Sequence, residues 1–193
     1  MKSVCVYCGS NPGQNPAFVD AARHVGRLLA ERDMTLVYGG GRVGLMGEVA
    51  DAALAAGGKV IGVIPQFMAV KEVAHMGLSD LHVVQSMHAR KAMMEKLSDA
   101  FIALPGGIGT MEELFEIWTW AQLGQHEKPV GLLDVDGYYA HLVAFLKEMT
   151  EQGFLQRSHH NALQVADTAE GLLSAFERYE APEADVRLKT QQT

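Results

Sequence analysis

The sequence predicts an α/β protein: a Rossmann-like, doubly wound parallel sheet with helices on both faces, built as a single domain. Two observations lead there. Short apolar runs alternate with segments of helical period along most of the chain. Glycine-rich turns stand where several of those runs give way to helices, at Gly9–Gly13, Gly39–Gly47 and Pro105–Gly109. In such folds these turns lie at the carboxyl ends of the strands, where ligands bind.

The elements follow in order. The first strand spans about residues 2–8 and ends in Gly9-Ser10-Asn11-Pro12-Gly13. A helix from Pro16 to Arg32 turns Phe18, Ala22, Val25, Leu28 and Leu29 inward. Thr35–Tyr38 is the second strand, and a helix near residues 45–56 closes on Gly57-Gly58, a C-terminal cap pair. Lys59–Ile64 is the third strand, stopped by Pro65, and residues 65–80 form a long connection of the kind that often carries function. Leu81–Val84, a helix over about Ser86–Leu97 and the buried strand Ala100–Leu104 come next. A helix then runs to Leu123 with Leu114, Phe115, Trp118 and Ala121 toward the sheet. Pro129–Leu133, a helix over about 138–151, an extended segment at 162–165 and a helix near 168–179 complete a domain of residues 1–180. The polar tail, 181–193, is expected to be disordered.

Composition narrows the functional classes. The 193 residues suffice for one well-cored domain and are short for two. A net charge of -7 and a pI near 5.6 argue against a nucleic-acid partner, which calls for a basic surface. No apolar run is long enough to span a membrane, and the first residues lack a signal-peptide pattern. Both cysteines lie in Cys5-Val-Tyr-Cys8, on a strand where residues three apart face opposite ways. Buried, unbridged thiols in a reducing cytoplasm are expected. The eight histidines show no metal-ligand spacing, and neither a Walker A motif nor a G-x-S-x-G elbow occurs. Neither a metal nor a cofactor is expected.

The turn Pro105-Gly106-Gly107-Ile108-Gly109-Thr110 is the most informative stretch. Between a strand and a helix, its free N–H groups and the helix dipole favour an anion, and Thr110 adds a hydroxyl. On that helix Glu113 lies about 60° around the axis from Thr110 and Glu112 about 160°, so Glu113 is the acid that looks back toward the ligand end. Glu112 and Glu116 fall toward solvent. Gly39-x-Gly41-x-x-Gly44 has the spelling of a dinucleotide fingerprint, but the next strand ends without the acid that would hold a ribose. A second phosphate-binding turn and plain tight packing both remain open for it. Arg90 and Lys91 stand in the first turns of a helix, where the dipole disfavours cations. They either serve an anion at the Gly106–Thr110 turn or form a solvated basic face. Glu72 and His75, in the long connection, are candidates for a site or for a plain hinge contact.

Pro105-Gly106-Gly107-x-Gly109-Thr110-x-x-Glu113 resembles the P-G-G-x-G-T-x-x-E signature of the LOG (Lonely Guy) family. Cys5–Ser10, Gly39–Gly47, Glu72-Val-Ala-His75, Ser86–Lys91, Trp120–Gly124 and Lys128–Gly131 resemble it too, so the likeness covers residues 2–180. Members are cytokinin riboside 5′-monophosphate phosphoribohydrolases, and many relatives once carried a lysine decarboxylase label. The resemblance implies Glu113 and Arg90 as the catalytic pair. It implies Ser10, Gly39, Gly40, Gly41, Gly44, Met87, Lys91, Gly106, Gly107, Gly109 and Thr110 around phosphate and ribose, with Glu72 near the base. The expected partner is a small-molecule nucleotide, and the expected assembly a homodimer or larger homo-oligomer. A non-catalytic nucleotide carrier or sensor is the alternative from another class.

Overall fold

Strand β1 (Ser3–Tyr7) is the centre about which the molecule reverses direction. The computed structural model describes residues 1–69 and 74–184. After β1 come α1 (Pro16–Glu31), β2 (Thr35–Tyr38), α2 (Gly44–Ala55), β3 (Val60–Pro65) and a single turn, α3 (Gln66–Met68). Next are β4 (Asp80–Val84), α4 (Met87–Leu97), β5 (Ala100–Ala103), α5 (Ile108–Gln122) and β6 (Val130–Leu133). A 3-10 turn, Val135–Gly137, leads into α6 (Ala140–Glu151), α7 (Arg157–Ala162), β7 (Leu163–Ala166) and α8 (Ala169–Glu177). The strands form one sheet in the order β4-β3-β2-β1-β5-β6-β7, with every pairing parallel. The chain thus winds outward from β1 on one side through β4, then crosses back to β5 on the other. Between β1 and β5, where the winding reverses, lies the crevice of a doubly wound sheet.

The pleat divides the core into two layers. Val4, Val6 and Cys8 face α1, α2 and α8, while Cys5 and Tyr7 face the layer of α4, α5 and α6. Both cysteines are free and buried, on opposite faces as the strand period requires. Each fully buried aliphatic side chain in these layers contributes about 1.5–3 kcal/mol relative to exposure.

Helix α1 begins on Asn15, whose side chain accepts a hydrogen bond from the Ala17 N–H, and carries Pro16 where a missing N–H does no harm. It packs on α2 at Gly26, where an added methyl would sit 2.2 Å from the Val49 carbonyl oxygen. Gly26→Ala gains about 1 kcal/mol of helix propensity and loses about 1–3 kcal/mol by overpacking against rigid backbone. A net loss of stability is expected, read as a lower urea midpoint.

Two features depart from the sequence reading. Ile117, 3% exposed, packs on the sheet, whereas Phe115 is 36% exposed and stacks against Trp118. Helix α5 is apolar on several sides, so periodicity alone does not fix which residue turns inward. Helix α7 was not anticipated, because Arg157-Ser-His-His-Asn161 is polar and too short to show a stripe. Of the tail, residues 181–184 carry no regular structure, and residues 185–193 lie outside the described residues. Among the described residues no helix is long and apolar enough to cross a membrane.

Candidate active site

Three glycine-bearing turns meet at the carboxyl ends of β1, β2 and β5, tied together by backbone. The Gly9 N–H donates to the Pro105 carbonyl at 3.1 Å, and the Leu45 N–H donates to the Gly9 carbonyl at 3.0 Å. Gly44, at φ +57°, leaves no room for a side chain, since a Cβ would fall 2.3 Å from the Ser10 carbonyl carbon. The Gly40 carbonyl accepts from the His75 N–H, and Gly41 bridges Ala74, which docks the end of the long connection onto the β2 turn. His75 accepts at Nδ1 from the Gly77 N–H, so its Nε2 carries the proton and donates to Asp51. Glu72 lies outside the described residues.

Helix α5 starts at Gly107, which offers no side-chain cap. The first-turn N–H groups of Ile108, Gly109 and Thr110 therefore have no intrahelical acceptor, and they open on an exposed rim of Gly107, Ile108 and Gly109. Thr110 is buried with its Oγ1 against Gly106, where a Cβ would lie 2.1 Å away. Ser10 stands exposed on the neighbouring loop. A cleft of about 280 Å³ beside this turn is lined by Ser10, Phe18, Leu45, Pro105, Gly107 and Tyr138.

One helical turn past Thr110, Glu113 meets Arg90. Helix α4 is capped by Ser86, whose Oγ accepts from the Ala89 N–H, and this sets Arg90 at the start of the helix. The Arg90 guanidinium donates through Nε to the Val63 carbonyl at 3.1 Å and reaches Glu113 Oε1 with Nη1 at 3.4 Å. Nη1 also approaches the Met87 sulfur at 3.9 Å. Its Nη2 fills the space over Gly39, where a Cβ would be only 2.1 Å away. Both partners are buried, with side chains 9% and 11% exposed. Burial pushes the Glu113 carboxyl above its ordinary range, and Arg90 offsets only part of that.

The structure thus brings Arg90, Glu113, Met87, Gly39 and the Gly106–Thr110 turn together. Lys91 does not join them. Its ammonium is buried between Glu112 and Glu116, at 2.5 and 2.9 Å, as a clasp from α4 to α5. Burial works against that charge, but the hydrogen bonds it donates to Glu112 and Glu116 outweigh it and raise the lysine pKa. Neither cation is the solvated face that an Arg-Lys pair suggests. Among the described residues no group of three or more His, Cys, Asp or Glu side chains is placed to hold a metal.

Two residues escaped the sequence reading. Tyr138 donates its hydroxyl to the Gly106 carbonyl at 2.6 Å, and Tyr139 donates to the Leu104 carbonyl at 2.6 Å. Nothing local to them signals this, because their targets lie in a different turn of the sheet.

A doubly wound sheet with a glycine-bearing strand-to-helix turn and an Arg–carboxylate pair beside it defines a protein of the Rossmann-like class. Comparison with known proteins narrows it. The family described as "Possible lysine decarboxylase" matches residues 46–176. The "Probable cytokinin riboside 5'-monophosphate phosphoribohydrolase LOGL9" of Oryza sativa subsp. japonica is 50% identical over 92% of this chain and 78% of that protein. The "Cytokinin riboside 5'-monophosphate phosphoribohydrolase" of Rhodococcoides fascians is 49% identical over 91% of this chain and 89% of that one. The chain belongs to the family of these phosphoribohydrolases, the LOG family. Among solved structures, the molybdenum cofactor binding protein of Rippkaea orientalis superposes with a TM-score of 0.69 at 24% identity, over 92% of this chain and 97% of that one. At that identity it shares the fold alone.

Proposed function

We propose that this chain hydrolyses the N-glycosidic bond of nucleoside 5′-monophosphates, adenine or N6-substituted adenine nucleotides, to free base and ribose 5-phosphate. The observation that carries the reading is the buried Arg90–Glu113 pair beside the open N-terminus of α5. Thr110 and Glu113 are three residues apart, about 4.5 Å of axial rise, so a phosphate on the turn sets the sugar near the carboxylate.

The 5′-phosphate takes the N–H groups of the Gly106–Thr110 turn and the Thr110 hydroxyl, with Ser10 and the Gly39–Gly44 loop closing around phosphate and ribose. Binding energy from the phosphate, remote from the bond that breaks, holds the ribose in place. As the base leaves, positive charge builds on the ribose, and the Glu113 carboxylate stabilises it and orients the attacking water. The hydroxyl of that water joins C1′, and its proton balances the departing base. Arg90 keeps Glu113 ionised and aimed, and Met87 lines the same edge. Glu72 is assigned to the base side by family likeness.

The decarboxylase description would call for a lysine free to bind pyridoxal phosphate, but Lys91, beside Arg90 in sequence, is engaged by two carboxylates. A carrier would use the phosphate turn yet gain nothing from a buried acid whose ionisation the fold resists. We also propose a homodimer, expected as a scattering mass twice that of the 21.0 kDa chain.

The test is a chromatographic time course with AMP and N6-isopentenyl-AMP. Free adenine or isopentenyladenine is expected, and the faster substrate ranks the base pocket. Nucleotide bound without base released would favour the carrier.

A further inference from the structure

We propose that Tyr138 is a positioning residue for the 5′-phosphate: by holding the Gly106 carbonyl it aims the Gly107 N–H at the anion and so sets the preference for nucleotide over nucleoside. This rests on the reading that the Gly106–Thr110 turn takes the phosphate.

The backbone of the turn shows why. An anion is repelled by carbonyl oxygens and drawn to N–H groups, so a phosphate turn needs its carbonyls turned away. Three successive carbonyls are each held by a donor from elsewhere in the chain. The Leu104 oxygen takes the Tyr139 hydroxyl at 2.6 Å, the Pro105 oxygen takes the Gly9 N–H at 3.1 Å, and the Gly106 oxygen takes the Tyr138 hydroxyl at 2.6 Å. In a planar trans peptide the N–H points opposite to the preceding carbonyl. With the Gly106 oxygen drawn to Tyr138, the Gly107 N–H is directed the other way. Gly107 itself stands in open space, where an added Cβ would meet nothing within 4 Å.

Tyr138 is itself held. Its ring meets Phe18 edge-on at 5.3 Å and Tyr139 at 5.0 Å. The loop before it is pinned by the Asn15 amide, which donates to Asp136 at 2.8 Å, and by Asp134, which accepts from the Tyr139 N–H at 2.6 Å. Asn15 also caps α1. The β6–α6 loop is thereby fastened to the first helix and delivers a hydroxyl to the β5–α5 turn. The two tyrosines differ in exposure: Tyr139 is 2% exposed and Tyr138 is 44% exposed. Loss of the Tyr138 hydroxyl frees a carbonyl that water can reach, whereas loss of the Tyr139 hydroxyl strands one in the core.

The experiment compares wild type with Tyr138→Phe and Tyr139→Phe. It reads kcat and KM for AMP, cleavage of adenosine, calorimetric binding of ribose 5-phosphate, and Tm. For Tyr138→Phe the expected result is a KM for AMP raised about 5- to 10-fold, the scale of one hydrogen bond to a charged ligand's turn. Ribose 5-phosphate binding should weaken by a similar factor, with kcat, Tm and the kcat/KM for adenosine held. Tyr139→Phe should instead lower Tm. Wild-type KM and ribose 5-phosphate affinity in Tyr138→Phe would overturn the proposal, as would equal losses for AMP and adenosine. If wild type releases no base, the hydrolase reading falls by itself, and ribose 5-phosphate binding still judges Tyr138. If wild type releases base but does not bind ribose 5-phosphate, the Tyr138 proposal falls and the hydrolase reading stands.

Discussion

Glu113→Gln is expected to lower kcat for base release by about 10³-fold or more while nucleotide affinity stays within a few-fold of wild type. The amide keeps the shape of the side chain and its contact with Arg90, but it carries no charge to set against the developing cation and cannot take a proton from water. Single-turnover assays with isopentenyl-AMP, paired with equilibrium binding, separate the two effects. Near-normal turnover in the variant would sink the assignment. The same substitution should also remove a pH-dependent loss of stability. Burial raises the Glu113 pKa from its ordinary 4.5, so the folded protein binds this proton more tightly than the unfolded chain does. Below the ordinary value both states are protonated and folding carries no penalty. As pH rises through the window up to the raised value, the unfolded chain releases this proton while the folded protein still holds it, and stability falls. Glutamine never ionises, so the Tm of the variant should lack that decline across the window. Activity runs the opposite way, rising with pH as the carboxylate forms.

Arg90→Met should reduce kcat/KM at neutral pH by at least about 10²-fold, with the acid limb of the pH profile moved upward. Methionine approximates the length of the side chain without its charge. Glu113 is left buried with no counter-ion close by, and removing one partner of such a pair costs about 3–5 kcal/mol if the other stays charged. The carboxyl escapes that cost by taking up a proton, which silences it until the pH is high enough to remove it. Partial recovery of activity in alkaline buffer is therefore the signature. Arg90→Lys keeps a cation but not the fork that joins the Val63 carbonyl to Glu113, and it should keep the wild-type limb with a reduced plateau. An acid limb unchanged in Arg90→Met would remove the arginine from this role.

The alternation of strand and helix was open to reading because β1, β2, β3, β5 and β6 are buried on both faces and the turns after β1, β2 and β5 are marked by glycine. Glu113 could be separated from Glu112 by angle alone, since both sit on one helix whose start is plain. Arg90 showed itself by standing where the dipole disfavours it, a local cost that Glu113 and the Val63 carbonyl offset from other elements. The same sign misled for Lys91. Its acids lie on α5, and helical period says nothing about which neighbouring helix faces a side chain. Phe115 lies toward solvent and not toward the sheet for the reason that α5 is apolar on several sides. The Tyr138 hydroxyl was out of reach of any local pattern, because it acts across 32 positions on a carbonyl. Local rules expose residues that break them. They do not expose residues that obey them and act at a distance.

The central place of β1 also bears on how the chain is made. Its register pairs Val4 with Leu36 on one side and with Ala100 on the other. During synthesis from the amino end, β2, β3 and β4 can assemble against β1 in turn, yet its second edge stays unpaired until residues 100–103 have emerged. Over that interval the central strand of the finished protein presents bare N–H and carbonyl groups, the template on which chains aggregate. A ribosome stalled shortly before Ala100 would leave just such a product, and one stalled after β5 has cleared the exit would leave β1 paired on both sides.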